Sequence, residues 1–219
     1  MYFLLYDTDI DFIFMTGASR TTRYGMDFSR NISINSEIHG EFAYIEDYQK
    51  KHTDENGNIF EQKQDIQNYL LGIRYLTEHD TTFIAEYFRN SAGYSRDELK
   101  DFFSFADKGY DAFISDNNDS LLNKASNLRE KYSRYPMKDY LYLRAGQKEP
   151  FDILYFTPSL TCIINMNDRS FSVSPELLYN GITNLEMRLK AGFIQGKKDT
   201  EYGEKQNDCR IELRLRYYF

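Results

Sequence analysis

The last eleven residues, Cys209-Arg-Ile-Glu-Leu-Arg-Leu-Arg-Tyr-Tyr-Phe219, alternate with a period of two. Cys209, Ile211, Leu213, Leu215, Tyr217 and Phe219 fall on one face, and Arg210, Glu212, Arg214, Arg216 and Tyr218 on the other. Successive side chains of an extended chain point to opposite sides, so this is a β-strand with one greasy and one charged surface. Two settings suit it. In the wall of a membrane β-barrel, lipid meets the greasy side and water the charged side. In a soluble sandwich, the greasy sides of two sheets pack together and the charged sides meet solvent. The alternation is the same in both.

Working upstream, the pattern recurs. Strand-like segments are read at 4–16, 23–31, 36–46, 65–77, 82–90, 139–145, 153–165, 170–179, 185–194 and 209–219. Ten is an even number, as in bacterial single-chain barrels, whose connections are short on one side and longer on the other. Counting back from the carboxyl terminus, long links at 195–208, 94–137 and 47–64 alternate with short ones at 180–184, 146–152, 78–81 and 32–35. Shorter links at 17–22 and 166–169 join the long-loop side. The expectation is an all-β fold: an antiparallel up-and-down transmembrane β-barrel over residues 1–219, with a long, partly helical outer loop at 94–137.

The greasy set comprises Ile10, Phe12 and Phe14; Ile38, Phe42 and Tyr44; Tyr69, Leu71, Ile73 and Tyr75; Phe83, Ala85 and Tyr87; Leu154, Phe156, Leu160 and Ile164; and Leu185, Met187, Leu189 and Phe193. The opposite set supplies the proposed lumen lining: Asp9, Asp11, Asp27, Glu37, His39, Glu41, Arg74, Glu86, Arg144, Glu176, Glu186, Arg188, Lys190, Arg210, Glu212, Arg214 and Arg216. Charges in mid-strand exclude a dry core on that side. The early strands are acidic and the last is rich in arginine. A lumen with one acidic and one basic wall orients and filters small polar solutes. The competing reading is that the charges brace a filled interior, because barrels of roughly eight strands have room only for their own side chains.

The insert differs in kind. Ser95-Arg-Asp-Glu98 is a capping box ahead of Leu99, Phe102, Phe103 and Phe105, and predicts a helix. A second helical stretch runs from Ser120 through Leu121, Leu122, Ala125 and Leu128 to Lys131. Loops this long usually carry structure or function of their own. It either folds inward and narrows a pore or stands outside as a cap.

Composition narrows the classes. The chain carries a net charge of −7, which argues against a nucleic-acid binder. It has 19 Tyr, 17 Phe and no Trp, an aromatic content that suits membrane interfaces and soluble sandwiches alike. Cys162 and Cys209 both fall on greasy faces, where a thiol acts as a small hydrophobe. His39, His52 and His79 share no metal-ligand spacing, and no cofactor or metal is expected. Asp54-Glu-Asn-Gly-Asn58 and Asp116-Asn-Asn-Asp119 are oxygen-rich but lack the register of a calcium loop. No catalytic residues are assigned; a hydrolase built on His39, between Glu37 and Glu41, is the least favoured reading.

The terminal Tyr217-Tyr-Phe219 resembles the closing strand of Gram-negative outer-membrane β-barrel proteins. That resemblance implies that Tyr217 and Phe219 belong to the signal read by the barrel assembly machinery. Further segments, 7–11, 24–31, 37–44 and 73–77, look like those of uncharacterised porin-like outer-membrane proteins. The resemblance implies the bacterial outer membrane, contact with its lipid and lipopolysaccharide, and passive passage of small polar solutes. The amino terminus has no signal-peptide pattern, so the chain reads as a mature form, a truncated product or the carboxyl-terminal portion of a longer protein, the last two being favoured. The alternative function is a non-conducting structural or surface-binding barrel.

Overall fold

The computed structural model describes residues 1–54, 58–129 and 136–219. Eleven strands form one antiparallel sheet in strict chain order. They are β1 (Tyr2–Leu5), β2 (Thr8–Gly17), β3 (Arg20–Ser33), β4 (Ser36–Thr53), β5 (Ile59–Leu76), β6 (Thr81–Asn90), β7 (Asp139–Gln147), β8 (Phe156–Asn165), β9 (Phe171–Ile182), β10 (Leu185–Gln195) and β11 (Cys209–Tyr217). Helices α1 (Arg96–Asp116) and α2 (Ser120–Arg129) lie between β6 and β7. None of the described helices is long and apolar enough to cross a membrane. The fold is therefore all-β with a helical insert. The sheet is a meander, and it is not closed, since β1 and β11 each pair with a single neighbour.

Three sequence expectations need correction. The first predicted strand, 4–16, is a hairpin, because Tyr6 and Asp7 both adopt left-handed backbone (φ 49° and 58°). Two consecutive positive φ values make the tight turn that joins antiparallel strands, and the strand count becomes eleven rather than an even ten. The predicted loop 47–64 is mostly strand. Asp47 takes a positive φ of 52° at a register shift between Ile45 and Tyr48, and β4 and β5 then continue pairing to Thr53 and Ile59. Leu154, placed on the greasy face of a strand, lies instead in the link before β8, where Pro150–Asp152 form a short 3₁₀ turn. The second helix is described to Arg129; its predicted end at Lys131 lies outside the described residues.

Direct cross-strand partners share a face, so the register fixes both surfaces. One row runs Phe12–Met26–Phe42–Tyr69 and another Ile38–Ile73–Ala85–Leu143–Cys162–Val173–Phe193–Cys209. Through its middle this face is apolar from β1 to β11, with Arg30 toward one end of the strands and the Arg89–Asp139 ion pair toward the other. No second sheet covers it among the described residues, and Leu71, Ile73, Phe83, Leu160, Leu189 and Phe193 are all exposed. The connections at 6–7, 34–35, 77–80, 148–155 and 183–184 lie at one end of the strands, called here the short-turn end. The strand ends that flank 18–19, 54–58, 91–138, 166–170 and 196–208 lie at the other, the long-loop end.

Gly72 is a close approach that the register requires. A Cβ there would come within 2.2 Å of His39 Nε2. Its absence lets the imidazole cross β5 and meet Glu86 Oε1 on β6 at 3.2 Å. Gly72→Val should therefore push His39 off Glu86 and cost about 1–3 kcal/mol through overpacking. A urea titration of the folded chain reads this as a lowered midpoint, and an unchanged midpoint would show that His39 is not held there.

Candidate functional site

All seventeen residues read as lumen lining share the charged face. The pairings Asp9–Ser29, Asp11–Asp27, Asp27–Glu41, Ser29–His39 and Glu37–Arg74 place the acidic group on β2 to β5. Gly72–Glu86 and Ile84–Arg144 continue the face through β7, and Ser159–Glu176, Glu176–Lys190, Arg188–Arg214 and Glu186–Arg216 carry it to β11. Arg210 and Glu212 alternate with them on β11.

The structure gathers these residues into two separate groups. At the acidic side, His39 lies 3.2 Å from Glu86 and 3.8 Å from Glu37, whose other oxygen is 3.9 Å from Arg74. At the far edge, Glu212 joins Arg210 at 3.0 Å and Arg214 at 2.7 Å, and Glu186 lies within 3.8 Å of both Arg188 and Arg216. Asp9 accepts a short bond from the Tyr2 hydroxyl. Asp11, Asp27 and Glu41 form a row of direct cross-strand neighbours, and among the described residues no ion pair links that row to the arginines of β11. The acidic residues therefore lie toward the β1 side of the sheet and the arginine-rich row on β11, its other border.

Beside the acidic row the charged face is hollowed. Gly25 and Ala43 are direct partners, and with no side chain on one and a single methyl on the other they leave about 410 Å³ of space flanked by Ile13, Met15, Ile45, Leu70 and Phe88. Arg23, Asp27 and Glu41 supply the charged part of its lining. Among the described residues no group of His, Cys, Asp or Glu is arranged to hold a metal ion. Cys162 and Cys209 are both free thiols.

The helical insert packs on this same face. The Ser95–Glu98 capping box starts α1, with both reciprocal bonds present. Leu99 and Phe103 of α1 meet Phe88, Tyr140 and Ile163, which the register assigns to the charged face near the long-loop end. Phe102 and Phe105 pack against Ala125 and Leu128, holding α2 on α1. The insert thus packs on the charged face at its long-loop end.

Two buried polar anchors act at the long-loop end, one on the insert and one on the 196–208 loop, and neither is visible in sequence patterning. Lys50, 6% exposed, donates from Nζ to both Glu98 oxygens at 2.9 Å and to the Gly93 carbonyl at 3.0 Å. Glu98 therefore serves the cap and the anchor together. Burial pushes its carboxyl upward, but the Ser95 N–H and Lys50 outweigh that and hold it below the usual carboxylate range. The second anchor is Glu201, 6% exposed, in the loop between β10 and β11. Its Oε2 accepts from the Tyr140 hydroxyl at 2.7 Å and Asn165 Nδ2 at 2.8 Å, while its backbone N–H donates to Asp168 at 2.7 Å. Burial raises the Glu201 carboxyl against the opposing pull of these donors.

The sequence matches no family model, no curated protein and no solved structure.

Lys50→Met leaves Glu98 half-buried without its cation and should cost about 1.5–3 kcal/mol. Limited proteolysis should then cut α1 and α2 faster while the strands stay protected; equal rates for both proteins would remove Lys50 as the anchor. The second anchor responds to pH in the opposite sense to the first. A carboxyl raised on folding binds its proton more tightly in the folded state, so its contribution is full at acid pH and is lost as pH rises from 4.5 through the raised value. Proteolysis of the 196–208 loop should therefore speed up over that rise, and Glu201→Gln should flatten the dependence. A wild-type cleavage rate that is flat with pH would rule out this role for Glu201.

Proposed function

We propose that the chain forms a porin-like outer-membrane β-barrel wall, with its apolar face toward lipid and its charged face toward a water-filled interior through which small polar solutes pass. One observation carries this: the bare apolar face. Ten strand spacings of ~4.8 Å and nine residues of ~3.4 Å give it an area on the order of 1,400 Å². The largest apolar patch on a soluble monomer is typically about 300–600 Å². A surface of this size and continuity needs a hydrocarbon partner, and a bilayer supplies one at every strand. Most strands have the nine or more residues that a tilted crossing takes.

The charged face fits the interior role. It carries acids, bases and the hollow beside Gly25 and Ala43, and the insert covers its long-loop end. An interior helix narrows a barrel without sealing it when space remains alongside. The second reading, a non-conducting barrel with surface partners, draws on the same packing of Leu99 and Phe103 against Phe88, Tyr140 and Ile163. Tyr217 and Phe219 take the assembly-signal role in either reading, with lipopolysaccharide and the barrel assembly machinery as partners.

The absence of tryptophan allows a direct test. Leu70 and Leu71 are sequence neighbours on opposite faces. In lipid vesicles, a Trp at Leu71 should be quenched by brominated acyl chains, and a Trp at Leu70 by aqueous acrylamide. The reverse pattern, or a chain that stays dissolved without detergent, overturns the membrane reading. In planar bilayers the protein should conduct, and replacing residues 95–136 with a short Gly-Ser linker should raise the single-channel conductance. A chain silent in both forms overturns the channel reading in favour of the non-conducting barrel.

A further inference from the structure

We propose that the hollow floored by Gly25 and Ala43 is a binding site for an organic monocation, a compact apolar body carrying one ammonium group. The inference rests on the membrane-barrel reading above, which turns the charged face and this hollow toward water, and it names a solute class for that interior.

The register lays the site out in three rows across β2 to β5. Ile13, Gly25, Ala43 and Asn68 form the middle row. Asp11, Asp27, Glu41 and Leu70 lie two residues toward the short-turn end, and Met15, Arg23, Ile45 and Ile66 two residues toward the long-loop end. At ~3.4 Å per residue, the acidic row and Arg23 stand roughly 14 Å apart along the strands. The hollow of about 410 Å³ lies between them, within the size range of small-molecule sites.

The protein leaves this floor open. At Gly40 and Gly72 the room of the absent side chain is filled by a neighbouring strand, since a Cβ there would come within 2.5 Å of Phe28 and 2.2 Å of His39. At Gly25 the nearest atom is Ile13 Cβ at 3.4 Å, an ordinary contact, and neither ladder shifts register there. Neither the backbone nor the packing requires glycine at this position. A glycine inside a strand weakens it and often marks the close approach of a ligand.

The walls define the ligand. Ile13 and Met15 are 56% and 40% exposed on the face that carries the charges, and with Ile45, Leu70 and Phe88 they offer an apolar body a surface to bury. Beside them, Asp11, Asp27 and Glu41 are direct cross-strand neighbours, an arrangement of like charges that costs stability. Among the described residues none of the three has an ion pair or a side-chain hydrogen bond, so a cation placed there relieves their repulsion. Arg23 repels positive charge from the opposite end. The site therefore takes one ammonium, directed at the acidic row, with its apolar body over Gly25 and Ala43.

Equilibrium dialysis against phosphatidylcholine vesicles carrying the full chain, with empty vesicles subtracted, tests this with phenylbutylammonium and phenylbutyrate, which share one apolar body. The ammonium should bind about tenfold more tightly than the carboxylate, or better. Gly25→Leu, whose added side chain has room at Cβ and fills the hollow, should abolish that binding. The isosteric pair Asp27→Asn and Glu41→Gln should weaken ammonium binding about tenfold. Equal binding of the two probes, tighter binding of the carboxylate, or an ammonium affinity that either set of substitutions leaves unchanged overturns the proposal, as does the absence of binding. Leu71→Trp, read in the same vesicles, separates the two failures. Lipid quenching at that position without ammonium binding sinks the site alone, and loss of the quenching sinks the membrane reading beneath it.

Discussion

Continuous antiparallel hydrogen bonding, strand by strand from β1 to β11, is the constraint on which everything else in this molecule depends. Because partners across a ladder point the same way, one register error would send a greasy side chain among charges. The bulges are placed so that this does not happen. The shift after Ile45 falls past the greasy rows and is absorbed at Asp47, whose backbone N–H donates to Asp65 Oδ1 at 2.9 Å; beyond it both faces of β4 and β5 carry polar and charged residues, with ion pairs between Lys51 and Glu61 and between Lys63 and Asp47. A sheet built this way has one largely apolar surface and one that carries the charges; the division is sharpest on β11, whereas on β2 Ile13 and Met15 sit on the charged face.

The loops act on that frame unequally. The turns at the short-turn end are tight and carry left-handed residues such as Tyr6, Asp7, Asp80 and Asn184. At the other end the chain spends long segments, and these return to the charged face. Buried polar groups hold them there: Lys50 with Glu98, and Glu201 with Tyr140 and Asn165. Each is costly to desolvate and so contributes only with its full set of partners in place. This makes the cover specific in position yet separable from the strands, which keep their own ladders without it.

Much of the wall was legible in the sequence because a period of two is a local property. The strands β6, β7, β10 and β11, and the assignment of all seventeen charged residues to one face, follow from alternation alone. The capping box at Ser95 was equally local. The hairpin at Tyr6-Asp7 was hidden, because neither residue is glycine or asparagine and the alternation on either side of it reads as one strand. The extension of β4 and β5 was hidden for a related reason, since residues 47–64 are polar and a strand reaching past the main wall need not alternate in hydropathy. Lys50 and Glu201 gave no signal at all, as their partners lie tens of residues away.

Sequence by itself determined that these segments are extended, that each has a greasy and a charged side, and that helices interrupt them after β6, because each property arises between residues a few positions apart. Only the tertiary structure decided that the strands form a single sheet rather than two packed ones, that the insert lies on the charged side, and that the acidic residues lie toward the β1 side with the arginine-rich row at the other border. Those outcomes depend on which distant edges and side chains meet, and a one-dimensional pattern carries no information about that.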